Sequence, residues 1–325
     1  MSGRINGLIL IATLIGLAVA IWAFAATGFD GIVHVVARMG LSGLLLYCGY
    51  SACVFVILGA AWLAAAPGEP AAKLGLFAWG RAVREAVADL LPFSQIGGIV
   101  VGARTIAGGD VPLYRVYASL IVDMTTELAS QLAFTLFGVA TVVSLLAAGP
   151  DADRLKPLLL AGVAVLAAIV LALFGAQRLL LRIAAGLAQR VLPGSAATIE
   201  AIGGELTRIY AHRGRVALAL ALNLAAWIAS AGGAWLVLRL MGVMLPLGTV
   251  LAIEALIFTL RSVAFAIPGG IGVQEAAYAL VGPALGLPPD AALALALAKR
   301  GRDVALGIPT LLLWQAGTMR RLVRG

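Results

Sequence analysis

The chain has 325 residues, of which 62% are hydrophobic and 12% charged, and its formal net charge is +8. A soluble domain carries about a quarter charged residues, so this composition, with a mean hydropathy of +1.05, excludes a soluble globular surface and indicates an all-α polytopic membrane protein. The apolar runs are long and continuous instead of alternating over short segments, which excludes a transmembrane β-barrel.

In chain order, a first span is predicted from about Ile5 to Ala26, preceded by Arg4 and read as an uncleaved anchor. A short linker, FDGIVHVVARMG, leads to a second span over Leu41–Ala65. After PGEP, an amphipathic stretch over 71–91 carries Lys73, Arg81, Arg84, Glu85 and Asp89, and LPFSQIGGIVVGARTIAGG follows as about half a span between glycines. Pro112–Ala148 is a long third span, Leu155–Gly175 a fourth, and 177–215 a basic connector holding six arginines against Glu200 and Glu205. Val216–Met241 and Pro246–Ile267 are spans five and six. The Gly-rich segment up to residue 286 is too short to cross at full thickness, and Ala291–Trp314 is the last span, giving about 7–8 membrane segments in one integral domain over 1–325.

Lysine and arginine in the connectors set orientation. The 177–215 connector and the 66–91 stretch read as cytoplasmic, which puts the N-terminus inside. Arg320, Arg321 and Arg324 favour an inside C-terminus as well, which requires the 268–286 segment to cross. The basic excess matches anionic lipid headgroups; no basic stripe with interleaved aromatics points to nucleic acid.

Two interruptions share one pattern. Pro92, Gly97, Gly98, Gly102 and Arg104 precede a Gly/Pro turn ending at Pro112 and a long helix bearing Asp123; Pro268, Gly269, Gly270, Gly272 and Glu275 precede a Gly/Pro turn and a helix bearing Arg300, Arg302 and Asp303. Paired broken segments suggest repeat halves over 71–148 and 246–318 with a site between them. Non-helical backbone at membrane depth must be buried in protein or line a wet cavity, and a half-helix N-terminus there offers amide donors to an anion.

Charges inside spans are costly and face an interior. Asp123, Glu127 and Gln131 step by four along one face, so cations must lie near. Glu254 and Arg261 share a face of span six, and Asp303 follows Lys299 by four, the spacing of a local pair. Five carboxylates (Asp123, Glu127, Glu254, Glu275, Asp303) stand against five cations (Arg104, Arg261, Lys299, Arg300, Arg302), the balance that a buried ion-pair network needs. Asn223 reads as helix–helix glue. Cys48 and Cys53 read as apolar fillers and His34 and His212 as solvated connector residues. No nucleophile motif, metal set or cofactor motif is recognisable, so no catalytic residue, metal or cofactor is expected.

LPFSQIGGIVVGAR (91–104), PGGIGVQE (268–275) and KRGRDVALGIP (299–309) resemble the flippase-like superfamily that includes the membrane part of lysylphosphatidylglycerol synthase, and within it the bacterial hopanoid-biosynthesis-associated membrane proteins. The resemblance covers nearly the whole chain. It implies lipid translocation or trafficking in the bacterial inner membrane, with membrane lipids and lipid-synthesis or export proteins as partners. Gly97, Gly98, Arg104, Pro268, Gly269, Gly270, Glu275, Arg300, Arg302 and Asp303 are the motif positions it singles out. Lysyl transfer is not carried over, since the sequence ends at Gly325, eleven residues after Trp314. A non-transporting lipid-binding scaffold and an intramembrane enzyme acting on lipid phosphates are the rival expectations.

Overall fold

The computed structural model describes residues 29–90, 95–146, 195–263 and 272–324, together with the backbone at positions 164 and 168. The expected first and fourth spans, most of the basic connector and the Pro268–Gly269–Gly270 break lie outside the described residues. Among the described residues there are nine α-helices and no strand: α1 (Phe29–Ala64), α2 (Leu74–Leu90), α3 (Gln95–Ala107), α4 (Leu113–Leu146), α5 (Ser195–Ala211), α6 (Arg213–Leu240), α7 (Leu247–Val263), α8 (Val273–Ala284) and α9 (Pro289–Arg324). A 3₁₀ turn, Ala71–Lys73, leads into α2.

Among the described residues three stretches are long and apolar enough to cross a membrane: Ala37–Ala64, Leu113–Val142 and Arg213–Leu240. The fold is therefore that of a polytopic α-helical membrane protein. Two expectations change in detail. The linker after the first span is helical from Phe29 and runs into the second span through a kink at Gly40, where φ is 63° and a side chain would be strained. The basic connector contains a helix, α5, which packs on α4 and α6.

α3 folds back antiparallel along α2. A Cβ on Gly98 would meet the Arg84 carbonyl at 2.5 Å, Gly102 lies against Arg84 and Gly80, and Gly80 in turn lies against Ile106. Small residues let the two backbones approach this closely. Trp62, Phe77, Ala103, Ile106, Val116 and Leu120 close a core between this hairpin, α1 and α4.

The bundle has two distinguishable ends. At one end Arg215 donates to the carbonyls of Leu63 (2.7 Å), Ala64 (3.0 Å) and Ala66, satisfying the terminal carbonyls of α1. Here too Arg115 meets Glu69 at 3.0 Å and Glu205 at 3.5 Å, and Lys73 reaches the Asp110 carbonyl. Trp314 of α9 donates to Thr105 at 2.9 Å, so α9 finishes at this arginine-rich end. At the other end Met39, Leu238, Met241, Val250, Leu287 and Ala291 form a second core. α7 starts at that end and α8 leads back to it, so α9 runs the length of the bundle and carries Arg320, Arg321 and Arg324 to the same end as Arg208, Arg213 and Arg215. Residues 268–271 of the segment expected from charge counting to cross lie outside the described residues.

Candidate functional site

α2 presents Arg81, Glu85 and Asp89 at intervals of four, and α4 presents Asp123 and Glu127 one turn apart. The helices meet through these faces. Arg81 Nη1 lies 3.2 Å from Asp123 Oδ2 and 3.0 Å from Glu127 Oε2, its Nη2 grips Glu127 Oε1, and its Nε faces Glu85 at 2.9 Å. Arg84 adds a contact to Glu127 at 3.3 Å. From α6, Asn223 donates to Asp123 Oδ1 (3.3 Å) and Thr126 Oγ1 (3.1 Å), and Trp227 donates to the Glu127 carbonyl. Asp123 is fully buried and Arg81 is 2% exposed. The cations that the Asp123–Glu127–Gln131 spacing demanded are thus Arg81 and Arg84, two residues outside the predicted site. Their signal was charge confined to one face of an otherwise apolar helix. Gln131 itself donates to the Phe258 carbonyl at 3.1 Å.

The second buried cluster joins α7, α8 and α9. Glu254 accepts hydrogen bonds from Tyr278 Oη and Lys299 Nζ, and Lys299 also reaches Tyr278 Oη at 2.7 Å. The ammonium stands 5.0 Å from the centre of the Phe258 ring, a cation–π distance. Glu254 therefore pairs with Lys299 and not along its own helix, and Asp303 pairs with Arg302 instead of Lys299. Arg261 lies 3.8 Å from Asp89 of α2.

At the head of α8, Gly272 has φ 80°, a conformation that suits glycine. Its N–H donates to Glu275 Oε2 at 2.8 Å, so Glu275 caps the helix. Glu275 Oε1 also accepts from Arg300 Nε at 3.2 Å. The half-helix N-terminus expected to face an anion thus already holds a carboxylate of its own chain. Two donors remain over: Arg300 Nη2 and Gln274 Nε2 are buried and without a hydrogen-bond partner among the described residues.

Arg302 and Asp303 form a pair on α9 beside α2. Glu85, Asp89, Arg302, Asp303, Thr310 and Phe55 line a narrow crevice between α9, α2 and α1. Arg302 also sits 5.3 Å above the Tyr47 ring.

The structure therefore gathers Asp123 and Glu127 in one cluster, Glu275 and Arg300 in another, and Arg302 and Asp303 at the crevice, with Arg261 reaching its rim through Asp89. Gly97 is half-buried on α3, and Gly98 is a packing contact that seats α3 on Arg84. Arg104 lies exposed in the last turn of α3, away from these groups. Gly269 and Gly270 lie outside the described residues. Sequence reading left Arg81, Arg84, Glu85, Asp89, Gln274 and Tyr278 out of the site. Among the described residues no group of His, Cys, Asp and Glu could hold a metal ion.

Long apolar helices around buried charge clusters define the class: an integral membrane protein with a polar interior. Residues 9–309 match the family described as lysylphosphatidylglycerol synthase TM region, and the chain belongs to that family. No curated protein and no solved structure matches it. The family supports a membrane protein involved in lipid handling.

Proposed function

We propose that the protein translocates or traffics a lipid by receiving its polar headgroup at Arg300 of α9 and the head of α8, while the apolar body stays in the bilayer. The main barrier to moving a lipid across is desolvation of that headgroup in hydrocarbon, and a charge-compensated seam inside the protein lowers it. The observation that carries this reading is the pair of buried donors at the head of α8, Arg300 Nη2 and Gln274 Nε2, that have no hydrogen-bond partner among the described residues. Arg300 keeps one face on Glu275 and has a second face for a phosphate or hydroxyl. A hopanoid or related lipid is the cargo that the sequence resemblance suggests. The setting is the bacterial inner membrane, with the arginine-rich end and the N-terminus on the cytoplasmic side. No chemical step is assigned to the protein.

Native mass spectrometry of protein extracted from bacterial membranes tests this reading. A lipid retained by the wild type and lost from Arg300→Gln, with helical content unchanged, is the expected result. Equal retention by both variants contradicts the headgroup grip. A retained lipid that never moves in vesicles favours a scaffold that presents lipid to synthesis or export proteins.

A further inference from the structure

Two sets of helices match element by element. α2, α3 and α4 have 17, 13 and 34 residues; α7, α8 and α9 have 17, 12 and 36. One offset, 176 residues (288 − 112), carries Pro112 onto Pro288, Asp123 onto Lys299 and Glu127 onto Asp303. Arg81 and Glu254 are each the eighth residue of their helices. The Arg81–Asp123 pair of the first set thus recurs as Glu254–Lys299 in the second with its sign reversed.

Packing obeys the same correspondence. α1 packs on α2 as α6 packs on α7, α4 on α7 as α9 on α2, and α4 on α6 as α9 on α1, while α1 and α6 pack on each other. Exchanging α1–α4 for α6–α9 leaves these partnerships unchanged. The exchange also turns the molecule over, since the α3–α4 turn lies at the arginine-rich end and the α8–α9 turn at the other. That is the geometry of an inverted repeat.

The halves differ in one respect. The interface of α9 with α2 and α1 holds the crevice. Its counterpart, the interface of α4 with α7 and α6, is packed with aromatic rings. Phe258 stands where Glu85 stands and Phe134 where Thr310 does, and both pack with Ala231 and Ala255. Trp227 lies on Phe258 with ring centres 4.8 Å apart, Gln131 bonds the Phe258 carbonyl, and Thr135 meets Thr259 at 2.7 Å. Buried ion pairs lie within each half, tying α2 to α4 and α7 to α9, whereas the broad packing of α4 on α7 and of α9 on α2 runs between the halves. Between these two blocks the ties named above are neutral hydrogen bonds and the 3.8 Å Arg261–Asp89 pair.

We propose that the two blocks, α2–α4 and α7–α9, rock against each other about α1 and α6, so that the α1/α2/α9 crevice and the α4/α6/α7 seam open in alternation as the two halves of one headgroup path. An inverted repeat caught with unlike halves has a second state available in which the halves trade conformations. The proposal deepens the lipid-translocation reading and rests on it for the nature of the cargo.

The test uses single-cysteine proteins on a Cys48→Ser/Cys53→Ser background, with Thr310→Cys reporting on the crevice and Ser130→Cys, at a buried position on α4 one turn before Phe134, reporting on the seam. A water-soluble maleimide should label Thr310→Cys readily and Ser130→Cys slowly. Adding Phe258→Ala, which weakens the seam, should raise Ser130→Cys labelling about tenfold, the response to ~1.4 kcal/mol, and lower Thr310→Cys labelling in step. Gln131→Leu, which removes the bond to the Phe258 carbonyl at nearly constant volume, should act in the same direction and guards against a misfolded Phe258→Ala. Labelling that rises at both positions, or changes at Ser130→Cys alone, overturns the rocking. Movement of a fluorescent phosphatidylglycerol in phosphatidylcholine–phosphatidylglycerol vesicles, measured in parallel, separates the two ideas. Anticorrelated labelling without lipid movement supports the rocking and removes that cargo; lipid movement without anticorrelation removes the rocking alone.

Discussion

Arg81 on α2 and Asp123 on α4 lie 3.2 Å apart, and neither side chain has appreciable contact with the surroundings of the bundle. Glu127, one turn further along α4, completes the guanidinium's coordination. A pair this deeply buried gains its Coulomb energy only at the expense of desolvation, so its worth shows when one partner is removed. Arg81→Met leaves Asp123 and Glu127 facing each other with only Arg84 for compensation. It should lower the stability of the detergent-solubilised protein by about 3–5 kcal/mol, read as a lower melting temperature by intrinsic fluorescence. Arg81→Lys, which keeps the charge and loses the fork, should fall between.

Lys299 and Glu254 offer a cleaner measurement. Lys299→Met and Glu254→Gln each strand a buried group, whereas the double variant strands less. The double variant should be more stable than the two single losses predict, with a coupling of about 1–3 kcal/mol. Additive losses would mean that the two groups do not interact.

The α2–α3 hairpin depends on the absence of a side chain at Gly98. An added Cβ would lie 2.5 Å from the Arg84 carbonyl, so Gly98→Ala should cost about 1–3 kcal/mol and disturb Arg84. Gly49→Ala, where a Cβ meets nothing within 4 Å, is the control and should leave melting unchanged or slightly raised.

Glu69, in the α1–α2 loop outside the spans, holds Lys73 and Arg115. Burial pushes its carboxyl upward, but the hydrogen bonds and charges of Lys73 and Arg115 outweigh this and hold it below the ordinary carboxylate range. A depressed folded-state value gives stability that is complete above the unfolded value, about 4.3, and is lost as pH falls through the folded one. The wild type should therefore lose melting temperature on acidification below about pH 4.3 more steeply than Glu69→Gln does. Parallel curves would show that Glu69 carries no such linkage.

Much of this architecture was legible in the chain. Pro112–Ala148 was expected as one helix and α4 occupies Leu113–Leu146; both broken segments contain short helices, α3 and α8. The Asp123–Glu127 spacing demanded cations, and Arg300 does meet Glu275. The identity of the cations was not legible. In a membrane bundle the polar face of a helix points inward, so the amphipathic 71–91 stretch, read from its charge as cytoplasmic, turns its charges towards α4 and α9. Spacing also cannot choose between partners on one helix and partners across two. Lys299 was four residues from Asp303, yet it meets Glu254, which a different helix brings to it. Arg104 counted towards charge balance only because an exposed arginine near a helix end reads like a buried one in sequence.

Arg300 of α9, with Glu275 at the head of α8, is proposed to receive the lipid headgroup inside the bundle. The most direct test of this role is the rate at which purified protein in sealed vesicles exposes a fluorescent phospholipid to an external quencher. Wild type should accelerate exposure well above protein-free vesicles, and Arg300→Gln and Glu275→Gln should slow it while melting as the wild type does within a few degrees. Rates in those two variants equal to wild type, or a wild type no faster than empty vesicles, would contradict the account.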